Sequence, residues 1–109
     1  MYSETEIKSI IEIIKLNVND NLHKILLFGS YAKDTQTNSS DLDIAIIVNT
    51  MINRKEKLRL LNSLWWSASS NGISADFIIK TSDDFENEKE LPTLSKTINR
   101  EGKVLWQSS

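Results

Sequence analysis

Apolar residues recur at Ile7, Ile10, Ile11, Ile14 and Val18, the i, i+3, i+4, i+7, i+11 spacing of one helix face, which predicts an amphipathic helix over Glu4–Val18. Ser3 followed by Glu6 fits a capping box at its start, and the Asn17, Asn19, Asp20, Asn21 cluster predicts the turn after it. The period then changes. Lys24–Phe28 is a short apolar run ending at Gly29, and Leu42–Val48 is apolar on both faces through its second half. The first reads as a buried strand and the second as the central strand of a sheet covered on both sides. Ser30–Lys33 suits a brief helical turn, and Asp34–Ser40, with no apolar residue, a loop. Leu58, Leu61, Leu64, Trp65 and Ala68 return to helical spacing within Arg54–Ser69, and Asn71-Gly72 supplies the stop. Ile73–Lys80 reads as a third strand and Ser82-Asp83 as a helix start. Leu91–Arg100, with Pro92 in its first turn and Gly102 after its end, reads as a last helix before the short strand Lys103–Trp106. The order α-β-(α)-β-α-β-α-β predicts an α/β (α+β) fold, a mixed sheet of four strands packed with helices.

Composition narrows the function. At 109 residues the chain suits one domain, 1–109, with a single modest core. A formal charge of −2 gives no general attraction for nucleic acid or an anionic membrane, so direct nucleic-acid binding is not expected and phosphate must be held by a local site. The absence of cysteine excludes disulfides, thiol nucleophiles and cysteine zinc sites. One histidine, His23, leaves no material for a Ser-His-Asp hydrolase and reads as a surface residue. Acids near the N-terminus do not suit a secretory signal, and the longest apolar run, Ile44–Val48, is far short of the ~20 residues that span a bilayer. A cytoplasmic protein without membrane association is expected.

The chemistry-bearing residues lie between and inside the strands. Asp41 and Asp43, two apart at a strand start, point to one face. Carboxylates held that closely repel unless a cation lies between them, and hard oxygen donors suit Mg²⁺. Asp76, the one acid within the apolar run Ile73–Ile79, is the candidate third ligand for a two-metal cage. Gly29-Ser30, where a strand gives way to a helical turn, offers backbone N–H groups and a hydroxyl to phosphate, and glycine permits close approach. Each feature has a plainer account: a turn glycine, a solvated acid pair, an edge-strand Asp. Their combination in this order favours the site.

Gly29-Ser30-Tyr31-Ala32-Lys33-Asp34 followed by Ser39-Ser40-Asp41-Leu42-Asp43-Ile44 resembles the signature of the polymerase-β-like nucleotidyltransferase superfamily, and specifically of minimal nucleotidyltransferase (MNT) domains. The leading helix, the Asp76 strand and the Arg100–Trp106 ending look like the same group, so the resemblance spans nearly the whole chain. It implies ATP as substrate, two Mg²⁺ ions on Asp41, Asp43 and Asp76, and a triphosphate held by Gly29, Ser30, Lys33 and Ser40. It also implies a cognate HEPN-domain ribonuclease toxin as partner in a hetero-oligomer. The antitoxin would transfer AMP to a toxin tyrosine, or neutralise the toxin by contact alone. A small-molecule-modifying enzyme is disfavoured, because such enzymes add a second substrate domain. The family commonly carries Arg-Gly where this chain has Lys33-Asp34, which keeps the charge but loses the planar fork of arginine.

Two further features are open between structural and functional readings. Arg54, Lys55, Lys57 and Arg59 crowd one helix start, as a solvated face or a phosphate patch against the helix dipole. Trp65 and Trp66 are adjacent on a helix and point ~100° apart, so both cannot be central core; one of them, or Trp106, is a candidate partner contact.

Overall fold

The computed structural model describes residues 4–28, 42–88 and 102–108. Helix α1 spans Glu4–Val18, with Ile10, Ile14 and Val18 buried at i, i+4, i+8 and acids in its first turn, where the dipole favours them. A single 3₁₀ turn, Asn19–Asn21, follows. Asn19 has φ 60°, a left-handed conformation that asparagine tolerates better than most residues. The Asn21 side chain then accepts from the Thr50 N–H and hydroxyl, both at 2.9 Å, and ties this turn to the far end of the second strand.

The strands are β1 (Leu22–Phe28), β2 (Leu42–Val48), β3 (Ala75–Thr81) and β4 (Lys103–Gln107), in the spatial order β3-β2-β1-β4. β2 pairs antiparallel with β1 and parallel with β3, and β1 pairs antiparallel with β4, which is the mixed four-stranded sheet the sequence predicts. β1 begins two residues earlier than expected because Leu22 is a core residue; a bulge between Leu22 and Lys24 lets the pairing continue past His23. β3 begins two residues later. Ile73 is buried, yet its N–H caps the preceding helix by donating to Ala68 O at 2.9 Å, so the chain is still leaving the helix there.

Helix α2 covers Arg54–Ser70, with the Asn53 side chain accepting from the Glu56 N–H as N-cap. Short helix α3 covers Ser82–Glu88. The sheet is sandwiched between α1 and α2 on one face and α3 on the other. On the first face Leu42, Ile44, Ile46 and Val48 pack with Ile10, Ile14 and Leu64; on the second Ala45 and Ile47 pack with Leu26 and Phe85. α1 and α2 are further joined by a hydrogen bond from Ser63 Oγ to Asn17 Oδ1 at 2.8 Å.

The apolar stripe expected on α2 needs correction. Leu58 and Trp65 share the apolar spacing, yet they are 54% and 52% exposed; the buried face narrows to Leu64 and Ala68. The helix lies toward the β3 edge, and no described element covers its outer side. Trp66 is exposed as well, so neither adjacent tryptophan is core, whereas Trp106 is half-buried against it. Arg54, Lys55, Lys57 and Arg59 are all exposed, with Arg59 3.4 Å from Glu56.

α2 ends as Asn71-Gly72 predicts: the Gly72 N–H donates to Ser69 O at 3.0 Å and Gly72 takes φ +72°. A Cβ there would meet no atom within 4 Å, so only the left-handed backbone resists substitution. Gly72→Ala is therefore expected to destabilise the fold by about 1 kcal/mol, read as a lower urea midpoint at unchanged slope.

The Ser3 cap, the Ser30–Lys33 turn, the Asp34–Ser40 loop and the Leu91–Arg100 helix lie outside the described residues. Among the described residues no helix is long and apolar enough to cross a membrane.

Candidate active site

β2 and β3 run parallel and in register, with Asp43 opposite Asp76. Neighbouring strands lie about 4.8 Å apart, and residues paired in register project to the same face. Strand alternation fixes which face. Leu42 and Ile44, and Ala75 and Phe77, belong to the α1/α2 side, so Asp43 and Asp76 project to the α3 side, at the end where both strands begin. Phe28, the last residue of β1, is the antiparallel partner of Asp43. A row Phe28–Asp43–Asp76 thus crosses three strands one step beyond the apolar row Leu26–Ala45–Ile78. The chain leaves β1 at this same end into Gly29-Ser30, and Asp41 immediately precedes β2.

The two acids differ in setting. Asp43, on the central strand, is half-buried; Asp76, on a strand paired on only one side among the described strands, is exposed. β2 is locked between two ladders, and the Leu42 N–H donates to Ser74 O at 3.1 Å, which fixes the start of β2 against the start of β3. The backbone ladder thus holds the two positions side by side. Adjacent like charges are unfavourable by themselves and become favourable around a cation.

Of the site residues read from the sequence, Asp43 and Asp76 are brought together. Asp41, Gly29, Ser30, Lys33 and Ser40 lie outside the described residues, as does the Lys33-Asp34 departure. Among the described residues no group of three potential metal ligands is assembled. His23 lies at the opposite end of β1, beside Ser82, Asp83 and Glu86 and away from the acid pair, consistent with its expected non-catalytic role. A feature that sequence reasoning missed is a hollow beside Asp76 lined by Leu61, Asn62, Trp65 and Phe77. The exposed-tryptophan signal was present in the sequence, but its nearness to Asp76 depends on how α2 packs.

Comparison with known proteins places the chain in a family. The family model for polymerase β nucleotidyltransferases matches residues 8–109. The chain is 36% identical over 92 residues to a Methanocaldococcus jannaschii chain named "putative protein adenylyltransferase MJ0141", covering 72% of this chain and 93% of that one. Among solved structures, a chain of a toxin–antitoxin complex with AMP-PNP superposes with TM-score 0.66 at 25% identity, over 94% of this chain and 73% of that one. A chain from the complex of a tri-AMPylated Shewanella oneidensis HEPN toxin with its MNT antitoxin shares the fold, with TM-score 0.62 at 22% identity, over 96% of this chain and 72% of that one. A family match over nearly the whole chain, on a mixed sheet that sets two acids side by side, makes this chain a nucleotidyltransferase of the polymerase-β family.

Proposed function

We propose that residues 1–109 act as a single Mg²⁺-dependent nucleotidyltransferase domain that moves AMP from ATP to a protein hydroxyl, a tyrosine of a cognate HEPN-domain toxin, and so serves as a cytoplasmic antitoxin. The observation that carries this reading is the in-register Asp43–Asp76 pair, with Asp41 two residues upstream of Asp43. The name of the M. jannaschii relative, the AMP-PNP in one structural neighbour and the AMPylated toxin in another support AMP transfer to protein.

The donor set fits the metal. Asp43 and Asp76 offer hard oxygens from adjacent strands, on backbone positions fixed by the ladder, and Asp41 would add a third carboxylate. Mg²⁺ held by these three would supply neutralisation of phosphate charge and alignment of the attacking and leaving oxygens. The protein's own part is positioning. Gly29, Ser30, Lys33 and Ser40 hold the triphosphate. The acceptor oxygen attacks the α-phosphorus, the bond to the β-phosphate's bridging oxygen breaks, and pyrophosphate leaves. Asp76, the exposed member of the pair, accepts the hydroxyl proton.

The test is incubation of the chain with α-labelled ATP, Mg²⁺ and the purified HEPN-domain partner. Label on a partner tyrosine, abolished by EDTA, is the expected result. The exposed Trp65–Trp66 pair favours a second reading, neutralisation by contact. Full toxin neutralisation without any label transfer would decide for it.

A further inference from the structure

The α2–β3 side of the molecule carries two neighbouring hollows. One hollow, of about 550 Å³, has Leu58, Leu61 and Ile79 as its apolar floor and Arg54 and Lys57 on its rim. The second, of about 240 Å³, lies beside Asp76 under Trp65. Leu61 lines both, so the two hollows adjoin along the β3 edge, and together they make a groove there. Leu58, Leu61 and Trp65 recur at i, i+3, i+7, a single helical stripe that borders it. In a chain of 109 residues this is a costly strip of surface to leave in water: Leu58 and Trp65 are more than half exposed, and Trp66, 66% exposed, meets Trp65 edge-on at 5.4 Å.

The ends of the groove differ in charge. Asp76 stands at one end, with Asp43 next to it. At the other stand Arg54, Lys57 and Lys80 against one acid, Asp84; Arg54 and Lys57 make no ion pair among the described residues, whereas Lys80 is paired with Glu88 at 2.8 Å. β3, which forms one wall, pairs on one side only among the described strands.

We propose that this groove is the track on which the acceptor polypeptide docks, an inference that rests on the transferase reading above. The occupant is an extended partner segment with apolar side chains over Leu58, Leu61 and Trp65 and an acidic residue between Arg54 and Lys57. Its hydroxyl-bearing residue rounds the β3 edge at Asp76. From Asp76 to Thr81 the strand runs about 16 Å, so about five extended residues fill the track. Trp65 is a positioning residue: it borders the acceptor's path and not the triphosphate.

The experiment uses the full chain and the purified HEPN-domain partner. Leu58→Asp, Trp65→Ala and Lys57→Glu are each measured for partner Kd, for KM and kcat of label transfer, and for Kd of Mg²⁺·AMP-PNP. The expected result is a rise of about tenfold or more in partner Kd and KM, with kcat and analogue affinity within about twofold of wild type. A photo-crosslinking side chain at position 58 is expected to label the partner segment that carries the modified hydroxyl. Unchanged partner affinity in all three variants, or a crosslink to a different segment, overturns the groove. Lys57 is exposed, so Lys57→Glu reports even if a variant at Leu58 folds poorly. A wild-type chain that binds the partner through the groove yet transfers no label sinks the transferase reading and leaves the docking surface standing.

Discussion

Replacing Asp43 with asparagine is expected to lower the rate of AMP transfer about a thousandfold, a loss of about 4 kcal/mol of transition-state stabilisation. The substitution keeps shape and hydrogen-bonding capacity but removes one of two adjacent negative charges. The ladder bonds of β2 to β1 and β3 are made by backbone and do not depend on this side chain. The fold should therefore be kept, with relief of the repulsion from Asp76 offsetting in part whatever contact the carboxylate makes. Thermal unfolding and initial rates of label transfer, measured on one preparation, separate the two effects. Asp76→Asn should give a similar loss. The double variant should be little worse than either single one, because groups that act together around one cation fail together. Wild-type rates in Asp43→Asn would remove the acid pair from the mechanism.

The backbone route to this pair was legible in the residues for specific reasons. β2 is apolar on both faces from Ile44 to Val48, and only a strand flanked on both sides meets that demand; it is central, as expected. Asp76 interrupts an otherwise apolar run, which marks it as either an edge residue or a ligand, and it occupies an edge beside β2. What periodicity cannot carry is register. Shifting β3 by one residue against β2 would send Asp76 to the α2 face, where it would meet the apolar core. The observed register buries Ala75 and Ile79 and leaves Asp76 outside, so burial of its neighbours selects the pairing with Asp43. Leu58 and Trp65 show the opposite limit. Their spacing is correct for a buried face, but a helix buries only the part of its apolar stripe that the sheet reaches, and these two overhang its edge. The Gly29-Ser30 turn and Asp41, which the sequence reading assigns to the same site, lie outside the described residues.

The largest structural effect is expected from Ile46→Ala. Ile46 has no exposed surface and lies on the central strand, facing the layer formed by α1 and α2. Deleting its three outer carbons removes transfer free energy and leaves a cavity that two helices and a doubly paired strand cannot collapse to fill, a loss of about 3–4 kcal/mol. Against a total of about 5–15 kcal/mol for a domain of this kind, that is a large share. Ile47, one residue on, is equally hidden but faces the other side, where the buried cluster among the described residues is Leu26, Ala45, Ile47 and Phe85. α3 is a seven-residue helix and can settle inward, so Ile47→Ala should cost less, about 2 kcal/mol. Urea unfolding followed by tryptophan fluorescence orders the two: with a slope of about 1–3 kcal/mol per molar, Ile46→Ala lowers the midpoint by well over the shift seen for Ile47→Ala. Equal shifts would mean that the sheet is covered as firmly by α3 as by α1 and α2. Below its melting range Ile46→Ala should retain label transfer, because Asp43 is held beside Asp76 by the backbone ladder and not by the packing of the residue removed.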